Sequence, residues 1–151
     1  MQTISRTYDL KVPASPEQVF PLLCPILEYR WLPHWRCELL HSASGVAEED
    51  CVFRTAAPGG GSMTWVVSRY EPNVRIEFTC FVDGCYVFRL KIVLAADGAS
   101  TFMKWTRRWL SVGPEGDASL ATWSDAEQEK IMDFIDRALT HYITTGEMLR
   151  P

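Results

Sequence analysis

The sequence predicts an α+β fold: a curved antiparallel sheet of about seven strands around one long C-terminal helix, with two short helices after the first strand. Three observations predict it. Residues 3–12 alternate polar and apolar side chains, the period of a half-buried strand. Residues 35–112 are punctuated by turn signals at Ser44-Gly45, Pro58 to Gly61, Pro72-Asn73, Asp83-Gly84 and Asp97-Gly98, as in a meander of hairpins. From Ser124 onward, apolar residues recur at helical spacing.

Each element follows from its residues. In the first strand Ile4, Tyr8, Leu10 and Val12 share one face, and Thr7, Asp9 and Lys11 the other. Ser15, Pro16 and Gln18 then make a capping box with proline at the first helical position. This helix should run from 16 to about Cys24, where Pro25 interrupts it. A second, over about 25–31, ends before Pro33. Strands are expected near 35–42, 50–56, 62–70, 74–82, 85–95 and 100–111, and a loop over 113–127. Ser124 and Glu127 form a second capping box. Ile131, Phe134, Ile135, Ala138, Leu139, Tyr142 and Ile143 then stripe one long helix to about Thr145 or Leu149. Such a helix needs a large apolar surface, and only the concave face of the meander offers one.

Composition bounds the function. A chain of 151 residues has the size of one domain, expected to be 1–151 here. It buries roughly 68–70% of its unfolded surface and needs no metal or disulfide staple. Net charge is −4, without a long basic run, so nucleic acid is not the expected partner. No apolar run is long enough to insert in a membrane. The N-terminus lacks the basic and apolar regions of a signal peptide, and five cysteines form no C-x-x-C pair. Reduced thiols in the cytoplasm are the expectation.

Register assigns an inside. A three-residue loop Val82-Asp83-Gly84 would pair Ile76 with Leu90, Phe78 with Phe88 and Cys80 with Tyr86, with Glu77 opposite Arg89. A two-residue turn Asp97-Gly98 would pair Leu94 with Thr101, Ile92 with Met103, Leu90 with Trp105, Phe88 with Arg107 and Tyr86 with Trp109. Met103, Trp105, Arg107 and Trp109 then face inward, and Lys104, Thr106 and Arg108 face water. Cys80 and Cys85 point to opposite sides and should not bridge. A guanidinium inside cannot shed its proton, so it needs an acid, a ring face, water or a ligand. Two readings of Arg107 stay open: contact to an oxygen-rich ligand, or a structural role, either paired with an internal acid such as Glu38 or snorkelling out at the end of the sheet.

The stretch "CPILEYRWLPHWRCELLHS" (24–42) is the other candidate. His34 titrates near neutrality, so it is either a surface histidine or a general base oriented by Glu28 or Glu38. Three histidines show no metal-ligand spacing among themselves or with cysteine, so no metal is expected. Trp31 and Trp35 are either core staples or ligand contacts. Gly59-Gly60-Gly61 lacks the Lys-Ser/Thr of a phosphate loop.

The order of elements, with "VPASPEQVFPLL", the W-x-x-x-W of Trp31 and Trp35, "SGVAEEDCVF" and "TWVVSRYEP", resembles the START-related SRPBCC superfamily. That superfamily includes the birch pollen allergen, lipid-transfer START domains, polyketide cyclases and chaperone-ATPase activators. The resemblance implies a helix-grip fold, with an apolar cavity between the sheet and the last helix. It places residues 24–36 at the cavity mouth, with Trp31, His34 and Trp35 as rim or gate.

The expected ligand-binding set is Trp31, His34, Trp35, Phe78, Tyr86, Phe88, Trp105, Arg107, Trp109, Phe134, Ala138 and Tyr142. The expected partner is a small, mostly hydrophobic molecule bound by a monomer or homodimer, with no cofactor. Two alternatives accompany this reading. One is a cyclase/dehydratase acting in the same cavity through His34, Arg107 and a tyrosine. The other is a protein-interaction domain with a filled interior.

Overall fold

The computed structural model describes residues 1–150. Seven strands form one antiparallel sheet: β1 (Thr3–Val12), β2 (Glu38–His41), β3 (Val52–Ala56), β4 (Ser62–Glu71), β5 (Arg75–Val82), β6 (Tyr86–Asp97) and β7 (Ser100–Ser111). Their order is β1-β7-β6-β5-β4-β3-β2. β1 and β2 therefore lie at opposite edges, and the chain between them must cross the sheet. It does so as α1 (Pro16–Val19), which tightens into a 3₁₀ segment Phe20–Leu23, and then a 3₁₀ turn Leu27–Arg30. Pro16 occupies the first turn of α1 and the Ser15/Gln18 capping box forms. The proline at 25 and the short spacing leave no room for a second full α-helix.

The last helix, α3 (Asp125–Thr145), is capped by Ser124 and ends at Gly146 in the left-handed conformation. Its Met132, Ala138 and Leu139 are buried in one core with Leu10, Val12, Val67, Ile76, Ile92 and Met103 of the sheet. Ile131, expected on the buried stripe, is 44% exposed instead. It stands near the helix N-terminus, beside an open groove.

Three expectations are corrected. First, the segment expected as a loop over 113–127 contains α2 (Pro114–Ala121). Two glycines disguise it. Gly116 is not a breaker there but a contact: a Cβ at this position would lie 1.8 Å from the Cys85 carbonyl oxygen. Second, the strand expected over 35–42 is only Glu38–His41. The chain is still turning before it, with His34 at φ 63° and the Trp35 amide bonded to Leu32 O at 3.4 Å.

Third, both hairpins are offset by two residues. The β5–β6 loop is Asp83-Gly84-Cys85, so Val82 faces Tyr86, Cys80 faces Phe88, Phe78 faces Leu90 and Ile76 faces Ile92. Glu77 lies opposite Lys91, not Arg89. The Cys85 carbonyl is held outside the ladder by the Val112 amide at 2.9 Å. The β6–β7 turn is Gly98-Ala99, with Asp97 opposite Ser100, Leu94 opposite Met103 and Ile92 opposite Trp105. Leu90 is thus opposite Arg107 and Phe88 opposite Trp109. Positive φ occurs at Gly98 and not at Asp97 or Ala99, the pattern of a type II′ turn. Asp97 stays in β6, where its carboxylate meets Lys11 at 3.1 Å. An offset of two preserves the faces of a strand, since side chains alternate with period two. Met103, Trp105 and Trp109 are indeed buried, while Lys104 and Arg108 are exposed. All five cysteines are free.

The close approach of α2 is testable. Gly116→Ala forces the helix off the β5–β6 loop and should cost about 1–3 kcal/mol. Urea denaturation would show it as a lower midpoint at unchanged slope; an unchanged midpoint would mean that α2 is not docked there.

Candidate functional site

Between sheet, 3₁₀ turn and α3 lies a hollow of about 210 Å³. Its walls come from three places. The 3₁₀ turn and its flanks contribute Pro25, Glu28, Trp31 and Leu32. The sheet contributes Phe53, Trp65, Phe78, Phe88, Leu90, Ile92, Trp105 and Arg107, and α3 contributes Ile135. Glu28 and Arg107 are the only charged residues lining it. A cavity of ~150 Å³ takes up benzene, so this one suits roughly two fused rings.

Aromatic rings form a connected chain along the sheet. Trp35 meets Phe53 edge-on at 6.5 Å, and Phe53 stacks on Trp65 at 5.6 Å. Trp65 meets Phe88 at 5.7 Å, Phe88 stacks on Trp109 at 4.9 Å, and Trp109 meets Trp123 at 5.5 Å. Indole N–H groups anchor this chain and the turn beside it. Trp31 donates to Leu22 O at 2.7 Å, Trp35 to Pro25 O at 2.8 Å and Trp65 to Thr55 Oγ1 at 2.9 Å.

Arg107 sits where two hollows meet. It lines the inner one and also an outer one of about 420 Å³ bounded by α2, the start of α3 and the ends of β4–β7. Its guanidinium lies over Phe88 at 5.4 Å and Trp109 at 5.0 Å. Nη1 donates to Gln128 Oε1 at 2.9 Å. Among the described residues no carboxylate pairs with it. Glu38, the acid expected to do so, is exposed and pairs with Arg54 at 3.3 Å. Burial brings the Arg107 pKa down to about 10, slightly opposed by Tyr8, so the group stays charged at neutral pH. Two ring faces supply a few kcal/mol at most, against several for desolvating a cation. A guanidinium has five N–H donors, and Nε and Nη2 have neither a protein partner nor a sealed environment. The unspent donors face the hollows.

Glu28 is the residue that sequence reasoning missed as a cavity group. It is half-buried by surface area, yet deep within protein; the surface it keeps borders the hollow. Among the described residues its carboxyl has no hydrogen bond or ion pair. Burial alone pushes its pKa well above the carboxylate range, favouring the neutral acid. The three-residue spacing from Pro25 and to Trp31 was the signal available in the sequence.

The expected ligand set separates into four places. Trp31, Trp35, Phe78, Phe88, Trp105 and Arg107 line the inner hollow. Tyr86 and Trp109 line the outer one. His34 and Phe134 border an open groove between the 3₁₀ turn and α3, outside the cavity. Ala138 is fully buried and Tyr142 half-buried in the core, and they line neither hollow. Of the expected gate, Trp31 is corrected, while His34 and Trp35 stay beside the groove that adjoins the hollow through Leu32, Trp35 and Ile135. Trp31 is 1% exposed and forms the inner wall, its indole N–H tied to Leu22 O at 2.7 Å. His34 is exposed. No group of three or more His, Cys, Asp or Glu among the described residues is arranged to hold a metal.

The sequence profile described as polyketide cyclase / dehydrase and lipid transport matches residues 1–139. The chain belongs to this family. It is thereby a member of the SRPBCC superfamily, and its sheet and long last helix are the helix-grip fold. No curated protein matches the chain. Solved structures share the fold at low identity. Norcoclaurine synthase from Thalictrum flavum, in complex with dopamine and hydroxybenzaldehyde, aligns with TM-score 0.66 and 13% identity over 95% of this chain and 87% of that one. Protein MLL2253 from Mesorhizobium loti aligns with TM-score 0.65 and 14% identity over 91% and 98%. Ara h 8.0201 aligns with TM-score 0.64 and 15% identity over 95% and 99%. No helix among the described residues of this family member is long and apolar enough to cross a membrane.

The titration of Glu28 yields a stability test. An unfolded glutamate releases its proton near pH ~4.3, while the folded protein holds it to higher pH. Parent stability therefore falls as pH rises through that window. Glu28→Gln removes the titration and keeps the shape. Its melting temperature should exceed the parent's at pH 8, with the advantage vanishing toward pH 4. A difference constant with pH would mean a solvated carboxylate.

Proposed function

We propose that the chain binds a small, mostly aromatic or apolar molecule bearing a carboxylate or carbonyl oxygen, in the inner hollow, with Arg107 orienting it. The observation that carries this reading is Arg107 itself: a half-buried cation lying over two rings, with one hydrogen bond, no acid partner among the described residues and donors without a protein partner beside an apolar cavity. Apolar burial, at ~25 cal/mol per Å², supplies most of the affinity. The guanidinium supplies direction, because a carboxylate satisfies two of its donors at once.

Membership of a family described by cyclase/dehydrase chemistry and lipid transport supports a ligand in this place. The size of the hollow favours a compact ring system over a long acyl chain. An unfilled interior argues against a sealed core serving only an outer interaction surface. The reading treats residues 1–151 as one domain acting as a monomer or homodimer. Five free cysteines support a reducing, cytoplasmic setting.

Equilibrium dialysis with 2-naphthoate and 2-methylnaphthalene tests the proposal. Both should bind the parent protein. Arg107→Met should weaken the acid about 10–100-fold, the worth of a hydrogen bond to a charged group, and leave the hydrocarbon unchanged. Equal loss of both would reduce Arg107 to a structural role. No uptake of either by the parent protein would reject the cavity reading and favour the interaction-domain alternative.

A further inference from the structure

This inference rests on the ligand-binding reading above. Besides Arg107, two groups lining the inner hollow have no partner among the described residues: the buried Trp105 indole N–H and the Glu28 carboxyl, and only the second is ionisable. Glu28 stands on the 3₁₀ turn and Arg107 on β7, so the two occupy different walls. They form no ion pair, and Arg107 is not among the influences on Glu28, whose shift comes from burial alone. Every other residue lining the hollow is aromatic or aliphatic. The Glu28 carboxyl is largely desolvated but not sealed, and it makes no hydrogen bond among the described residues; a polar group so placed is costly unless something in the hollow satisfies it. A leucine would fill the same wall without that cost. What Glu28 adds is one hydrogen-bond donor, placed away from the guanidinium.

We propose that Glu28 is a specificity-determining residue that donates a hydrogen bond to a second oxygen on the ligand, at a distance from the oxygen held by Arg107. The ligand class is then narrower than a hydrophobic acid. It is a compact ring system with a carboxylate or carbonyl oxygen toward Arg107 and a hydroxyl or keto oxygen toward Glu28. The neutral carboxyl suits this role. Arg107 already provides one positive charge, and a protonated Glu28 leaves that charge to be matched by an anionic ligand group. A ligand oxygen at Glu28 replaces the water that the carboxyl would otherwise need. An analogue lacking that oxygen leaves the donor unpaired, which is how a polar wall in an apolar site discriminates.

Isothermal titration calorimetry of the full chain with 2-naphthoate and its 5-, 6- and 7-hydroxy isomers tests this. The isomers scan the position of the second oxygen while the acid end stays constant. At least one should bind about fivefold to tenfold tighter than 2-naphthoate. Glu28→Leu should abolish that gain while keeping 2-naphthoate binding, and Glu28→Gln, which retains a donor, should keep most of it. Arg107→Met should weaken parent and hydroxy acids alike, leaving their ratio unchanged. If 2-naphthoate binds but no isomer gains, or the gain survives Glu28→Leu, this inference falls and the role of Arg107 stands. If 2-naphthoate does not bind the parent protein, both fall together.

Discussion

Successive side chains of a strand face opposite sides of the sheet, so the turn between β6 and β7 decides which half of β7 meets α3. With two residues in that turn, Gly98 and Ala99, Met103, Trp105, Arg107 and Trp109 fall on the inner face. One more residue would turn Lys104, Thr106 and Arg108 inward, which no packing could satisfy. The inward-facing guanidinium is therefore not a local accident. It is tied to the same parity that buries Met103 and Trp105, and it cannot be turned outward without exposing them.

That placement shapes the interior around it. Arg107 lies over two stacked rings and reaches Gln128 on α3, which ties the first half of the helix to the sheet. The rings continue in a connected chain from Trp35 to Trp123. They are large and stiff, and they meet mostly edge to face. A wall built this way supports its own shape, so space is left between it and α3 rather than closed by small flexible side chains.

The opposite wall depends on a different periodicity. Pro25 interrupts the crossing segment, which continues as the 3₁₀ turn Leu27–Arg30, and Pro25, Glu28 and Trp31, spaced by three, all border the hollow. The cavity thus has an acid on one wall and a cation on the other, the cation delivered by strand parity and the acid by the crossing segment.

Local pattern determined much of this. Alternation in β1, turn residues at the hairpins and the Ser124/Glu127 cap made the strands, the last helix and the inward face of β7 legible. Period and capping are properties of adjacent residues, so no tertiary information was needed. The family resemblance was legible for the same reason, since it follows the order of those elements. Only the tertiary structure decided which pairs meet. Both hairpins were offset by two; the observed registers go with contacts the hairpin pattern does not relate, Cys85 O to the Val112 amide and the exposed Asp97–Lys11 pair. Likewise α2 was hidden by Gly116, whose missing side chain is explained by a carbonyl thirty-one positions away in sequence (116 − 85). The roles of Glu28 and Trp31 were hidden as well. Burial of a side chain is set by what packs over it, and the wall that covers the 3₁₀ turn comes from β3 to β7.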